Sequence, residues 1–202
     1  MATGTEGTLT GYWACFTQGI DGNANNRTVR ASPTSNGDNG TDLASLEVTG
    51  SATLLNTIVT TGTQKYTSSV SLSADTTLNA SAATFSIGAD ANSHNLTVNG
   101  PFSTRSLSNL QNLNVNGTTN IISSSPSTTT IVSSGNQTYG GTVSLSGTAR
   151  LTGATLTHAG FSGAGHGLQL VFSDRVELDG ADFVGISDFS TSGAGGINLS
   201  GN

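Results

Sequence analysis

The sequence predicts an all-β chain wound as a parallel β-helix, a β-solenoid laid out as a single elongated repeat array. Three observations carry this: a composition suited to strands and turns, apolar residues alternating with period two, and similar strands recurring at the length of one coil. The 202-residue chain has 34% hydrophobic and 9% charged residues, 27 glycines and only 3 prolines. Its polar positions are filled by Thr, Ser and Asn, where a disordered chain would carry Lys, Glu and Pro. Thr and Val favour extended backbone, and Asn and Gly favour turns with positive φ, so strands and tight corners are expected and helices are not.

The alternation is plain in Val70-Ser71-Leu72-Ser73 and in Leu168-Gln169-Leu170-Val171-Phe172-Ser173. Successive side chains of a strand point to opposite sides, so these read as half-buried strands. Leu96 and Leu113 open similar strands 17 residues apart. That distance is too long for a hairpin and too short for a strand-helix-strand crossover. It suits one coil of two or three short strands joined by Gly or Asn corners, with the next coil about 4.8 Å along the axis.

A longer period runs over the coils. Ile58 to Leu78 matches Ile131 to Leu151 at an offset of 73 residues, with 10 identities in 21 positions. Gln64/Gln137 and Tyr66/Tyr139 are among them, and these residue types are too rare in the chain for composition to explain the match. Each 73-residue unit is expected to hold about four coils. The element Leu-x-Val-x-Gly begins at Leu46, Leu96 and Leu113, with a near copy at Ile197, and His94-Asn95-Leu96 corresponds to His166-Gly167-Leu168. The array stops at Asn202 with no closing element, so the chain reads as an excerpt from a longer precursor.

Thr60-Thr61-Gly62-Thr63-Gln64-Lys65-Tyr66, followed by Val70-Ser71-Leu72-Ser73-Ala74-Asp75-Thr76-Thr77-Leu78 and copied from Ser133 to Leu151, resembles the repeat of filamentous-haemagglutinin-like exoproteins and autotransporter-type passengers. Leu113-Asn114-Val115-Asn116-Gly117-Thr118-Thr119 resembles the segment that precedes that repeat. The likeness runs from about Leu43 to Asn202. It implies a right-handed parallel β-helix, export through the outer membrane, and a β-strand repeat adhesin's role in attachment, autoaggregation or biofilm. Partners would then be glycans or proteins of host or neighbouring-cell surfaces, and the location the bacterial cell surface or the extracellular space.

Residues 43–202 are therefore read as the β-helix array, with units near 46–112 and 113–202, and residues 1–42 as an N-terminal cap or irregular coil. Tyr12, Trp13, Cys15 and Phe16 form an apolar cluster there, suited to shielding an open coil from edge pairing. The charge is −6, and Arg27, Arg30, Lys65, Arg105, Arg150 and Arg175 make no basic stripe, which argues against nucleic acid. Cys15 is the sole cysteine, so neither an internal disulfide nor a cysteine metal site is available. Met1 to Thr10 lacks the apolar run of a signal peptide, and no stretch is apolar enough for a membrane span.

Asp174, Glu177, Asp179, Asp182 and Asp188 form the densest acidic stretch, where a Ca²⁺ ion at Asp174, Glu177, Asp179 and Asp182 competes with a solvated strand face. The alternation favours the solvated face, with Glu177 pairing Arg175. Asp21-Gly22-Asn23 and Asn36 to Asp42 read as Asx turns in preference to a loose Ca²⁺ loop. His94, His158 and His166 are expected at turns or on the surface, because no ligand or carboxylate spacing accompanies them. Gly163-Ala164-Gly165-His166-Gly167 precedes a strand and reads as a corner, not a phosphate loop. Ser162 lacks the setting of a nucleophile elbow.

No catalytic residue and no cofactor is called for. The preferred reading is a structural shaft or adhesive segment of an exported protein. The rival enzyme class is a polysaccharide lyase or hydrolase, which needs carboxylates and a basic group converging on one strand face. A third class, ice or crystal-surface binding, needs Thr-x-Thr repeated at one outward position of successive coils; Thr8 to Thr10 and Thr128 to Thr130 do not recur at coil spacing.

Overall fold

The computed structural model describes residues 44–123 and 127–200, together with the backbone of four strands nearer the N-terminus. Among these residues every strand ladder is parallel, and the only helical element is one short 3-10 turn, Gly180–Asp182. The chain is a parallel β-solenoid.

One face of the solenoid is a ten-stranded sheet: β1 (Gly7–Leu9), β3 (Asn26–Val29), β5 (Ser45–Val48), β7 (Thr63–Tyr66), β9 (Ala82–Phe85), β12 (Phe102–Thr104), β15 (Thr119–Ile121), β18 (Val143–Leu145), β21 (Phe161–Ser162) and β24 (Phe183–Val184). Call it face one. The other strands of the first rungs are β2 (Trp13–Phe16), β4 (Ser32–Ser35), β6 (Ala52–Val59) and β8 (Val70–Asn79), and the last two are long enough to wrap a corner. Their register shifts between Leu54 and Asn56, where Asn56 takes φ 57°.

Beyond β8 that corner becomes a loop and the sheet divides. Face two continues through β10 (Ala89–Asp90), β13 (Leu107–Leu110), β16 (Thr129–Ser133), β19 (Ala149–Gly153), β22 (Leu168–Phe172) and β25 (Phe189–Ser192). Face three continues through β11 (Leu96–Asn99), β14 (Leu113–Val115), β17 (Gln137–Tyr139) and β20 (Leu156–His158). There its ladder stops, and β23 (Val176–Asp179) and β26 (Ile197–Ser200) form a separate pair on the last two rungs.

The core is a set of vertical columns. In-register parallel stacking places each inward residue on its counterpart one rung away, so apolar contacts repeat along the axis. On face one Val48, Tyr66, Phe85, Thr104, Ile121 and Leu145 form one column, all buried. Tyr66 meets Phe85 edge-on at 5.3 Å between ring centroids, and Phe85 meets Phe102 likewise at 5.2 Å. Edge-to-face pairs of this kind add about 0.5–1.5 kcal/mol to the burial of the rings.

The expected coil spacing holds where it was read: Leu96 pairs with Leu113 and Val98 with Val115. The 73-residue unit holds about four coils, as expected, but not a whole number of them. Gln64 lies in β7 on face one, whereas Gln137 lies in β17 on face three. The long repeat therefore spans three full rungs plus two further faces, one face short of four rungs.

The corners carry the same shift. Asn92 and Ser93 both have positive φ, and the His94 N–H donates to the Ala91 carbonyl at 2.8 Å, which defines a type I′ turn between faces two and three. Ala164 and Gly165 repeat it between faces one and two, with the His166 N–H donating to the Gly163 carbonyl at 2.8 Å. The glycine-rich stretch is thus a corner feeding a strand, as its sequence indicates. No helix among the described residues is long and apolar enough to cross a membrane.

Candidate functional site

Outward columns form by the same register as inward ones, and the most regular lies on face three. Thr57, Thr77, Thr97, Asn114, Thr138 and Thr157 stack one above another from β6 to β20. Two residues away on the strand, outward positions form a second column, in which the Asn99 amide donates to the Asn79 carbonyl oxygen at 2.6 Å and the Asn116 amide donates to Asn99. At the N-terminal side a third column begins at Asp75. The Asn95 backbone N–H and side-chain amide donate to its two carboxylate oxygens at 2.9 and 2.8 Å, and the Asn112 amide donates to Asn95 at 2.8 Å. The Asn136 backbone N–H then donates to Asn112 Oδ1 at 2.7 Å.

These asparagine ladders exist because identical amides stacked one rung apart are donor and acceptor to each other. The bonds from Asn95 hold the Asp75 carboxyl below the usual range, with the His94 ring, 3.7 Å away, a smaller influence in the same direction. Asp75, Thr77, Asn95, Thr97, Asn112 and Asn114 line a shallow concavity of about 410 Å³. The flanking columns are tied, while the side chains of Thr77, Thr97, Asn114 and Thr138 make no hydrogen bond within the described residues.

The second place where polar groups converge is the break in face three between β20 and β23. His158 stands one rung beyond Tyr139 in an inward column, half-buried, which corrects the expectation of a turn or surface histidine. Its ring packs on Phe161 at 5.0 Å and on Phe183 at 5.8 Å. The Glu177 carbonyl oxygen lies 3.2 Å from Nε2, and since a carbonyl can only accept, Nε2–H is the donor. Nδ1 is buried without a partner. Burial lowers the ring's pKa, against the smaller opposing pull of the Glu177 carbonyl and the Asp182 carboxylate. His158, Glu177, Asp179, Asp182 and Ser200 share the groove left by the missing ladder.

Of the acidic residues singled out from sequence, Glu177 and Asp179 have separate partners. Glu177 pairs with Arg175 at 3.3 Å and accepts from the Asn198 amide. Asp179 accepts from the Ala181 N–H at 3.0 Å and caps the 3-10 turn, while Asp174 and Asp188 are exposed. Among the described residues no three of His, Cys, Asp and Glu come together in a way that could hold a metal ion. Asp21 to Asn23, Asn36 to Asp42, and the side chains of Tyr12, Trp13, Cys15 and Phe16 lie outside what the structure describes. The strands β1 to β4 extend the ladders of the later rungs.

The fold and these surfaces define a repeat protein of the parallel β-solenoid class, with a hydrogen-bonded amide and hydroxyl face. Comparison with family models, with curated proteins and with solved structures finds no match.

Proposed function

We propose that this chain is a stiff shaft or adhesive segment of a secreted or surface-displayed bacterial exoprotein, serving attachment, autoaggregation or biofilm. The observation that supports it most is the ladder itself: ten strands of face one hydrogen-bond in unbroken succession along one axis. A polymer of that kind resists bending, because each rung is held to its neighbours by backbone bonds and continuous core columns. Its length grows with every rung, which suits a spacer that carries contacts away from a cell. The repeat's resemblance to filamentous-haemagglutinin-like and autotransporter-type passengers supports the same reading, as does the absence of charge from most of face three.

Antibodies raised against the folded chain should label intact cells that encode it, and deleting the segment should reduce their autoaggregation. Labelling that requires permeabilised cells sinks the reading. The rival enzyme reading would stand, among the described residues, at the groove of His158 with Asp179 and Asp182. Glycan or uronate cleavage by the purified chain, lost in His158→Ala, would replace the shaft with a polysaccharide-cleaving enzyme.

A further inference from the structure

We infer that the outward side of face three, from β8 to β17, is a binding surface for an extended, uncharged polysaccharide lying along the solenoid axis. The inference deepens the adhesive-shaft reading by giving it a site and a ligand class. Its basis is a three-column lattice. Asp75, Asn95, Asn112 and Asn136 form the first column, Thr77, Thr97, Asn114 and Thr138 the second, and Asn79, Asn99 and Asn116 the third. Rungs stand about 4.8 Å apart, and outward positions within a rung about 6.6 Å apart.

The chemistry available on this lattice is uniform. The interior ladder amides, Asn95, Asn99 and Asn112, each spend one N–H and one carbonyl lone pair on their neighbours, the end members Asn79 and Asn116 spend only one of the two, and an Asn side chain has two of each. At least one donor and one acceptor per amide therefore remain for a ligand, side by side, which is the pattern that meets adjacent hydroxyls of a sugar ring. The central column adds hydroxyls without protein partners and Thr methyl groups that the apolar face of a pyranose can cover. The tied flanking amides are already ordered, so binding does not have to immobilise them. A concavity of about 410 Å³ runs over the first three of these rungs along the first two columns, so the surface is recessed beside the Asp75–Asn95–Asn112 ladder.

Charge selects among polymers. Asp75 is the one ionised side chain in the lattice, and Asn95 occupies both of its oxygens. A chain of net charge −6 with no Lys or Arg among the residues of this lattice repels uronate and sulfated glycans, while a neutral chain loses nothing. A periodic ligand also gains from a periodic site, since each extra rung engaged adds to retention.

The test is retention of the purified chain on insoluble neutral glycans, namely cellulose, chitin and a mixed-linkage β-glucan, beside soluble polyuronate as competitor. Binding to at least one neutral glycan is expected, with polyuronate failing to compete. Thr97→Lys and Thr77→Lys should each weaken retention about tenfold. Ser144→Lys, which puts the same charge on the outward side of face one, should leave it unchanged. Circular dichroism of every variant separates lost binding from lost fold. No binding to any neutral glycan, equal loss in Ser144→Lys, or thermal hysteresis without glycan binding overturns the inference. Cell-surface labelling that persists alongside any of these sinks the glycan face and leaves the shaft standing.

Discussion

The stretches around Gln64 and around Gln137 share three glutamine hydrogen bonds on different faces, and Gln137 makes one more, its Nε2 also donating to Ser133 Oγ at 3.2 Å. Gln64 Nε2 donates to the Ile58 carbonyl at 3.0 Å and to the Asn79 carbonyl at 3.1 Å, and its Oε1 accepts from the Tyr66 hydroxyl at 3.3 Å. Gln137 Nε2 donates to the Ile131 carbonyl at 3.4 Å and to the Thr152 carbonyl at 2.8 Å, and its Oε1 accepts from the Tyr139 hydroxyl at 2.9 Å. Thr60 and Ser133 hold the preceding corner alike, each donating its hydroxyl to the carbonyl two residues on, Gly62 and Gly135. What repeats is a corner with its flanking strands, not a coil. Because that module is local, it works at any corner of a three-sided rung.

The strongest way to break the comparison is to remove the glutamine. Gln137→Leu leaves the Tyr139 hydroxyl without its acceptor and takes the side-chain amide donor from the Ile131 and Thr152 carbonyls and from Ser133 Oγ, a loss of roughly 3 kcal/mol. Gln64→Leu should lose about as much or slightly less, since three of the bonds go to the same relative positions and only Gln137 adds the contact to Ser133 Oγ. Chemical denaturation gives the totals, and hydrogen exchange at Thr152 and Asn79 reports whether the damage is local. Unequal losses, by more than about 1.4 kcal/mol, would mean that face matters more than corner.

A gentler version takes only the phenolic oxygen. Burial pushes both phenols above their ordinary pKa, so both hydroxyls remain donors at any working pH. Tyr139→Phe is expected to lose about 1 kcal/mol, and Tyr66→Phe less, in line with the longer bond at Gln64. Equal or reversed losses in denaturation midpoints would show that the two glutamine–tyrosine bonds are not ranked by length.

The solenoid was legible because alternation and corner residues are local signals, and Leu96 with Leu113 gave the coil length directly. The rotation between copies was not. The match of Gln64 with Gln137 says nothing about which face each occupies, and that depends on rung lengths, which vary from 17 residues at Asn95–Asn112 to 24 at Asn112–Asn136. The same variation hid the threonine column. Thr57, Thr77 and Thr97 keep a steady interval, then Asn114, Thr138 and Thr157 depart from it, so a search for Thr at fixed spacing fails where the register succeeds. His158 was misjudged because its neighbours Ala159 and Gly160 look like a turn, while its inward place follows only from pairing beneath Tyr139.

That pairing is the last difference between the copies. Tyr66 is followed in its column by Phe85, Tyr139 by His158. The folded chain favours the neutral imidazole, since burial is the largest influence on it and Nδ1–H would have no acceptor. As pH falls, the unfolded chain takes up the proton first, near the ordinary value of 6.5. Stability is therefore flat above about pH 7 and declines through the mid-6 range until the folded ring protonates too. The decline should be smaller than the Tyr139→Phe loss, because the ring is partly open to solvent. His158→Phe rebuilds the arrangement of the first copy and should remove this dependence, while leaving the Glu177 carbonyl without its side-chain donor. Denaturation midpoints at roughly pH 7.5 and 5.5 decide it: a difference that survives His158→Phe means that other groups, not this histidine, sense the acid.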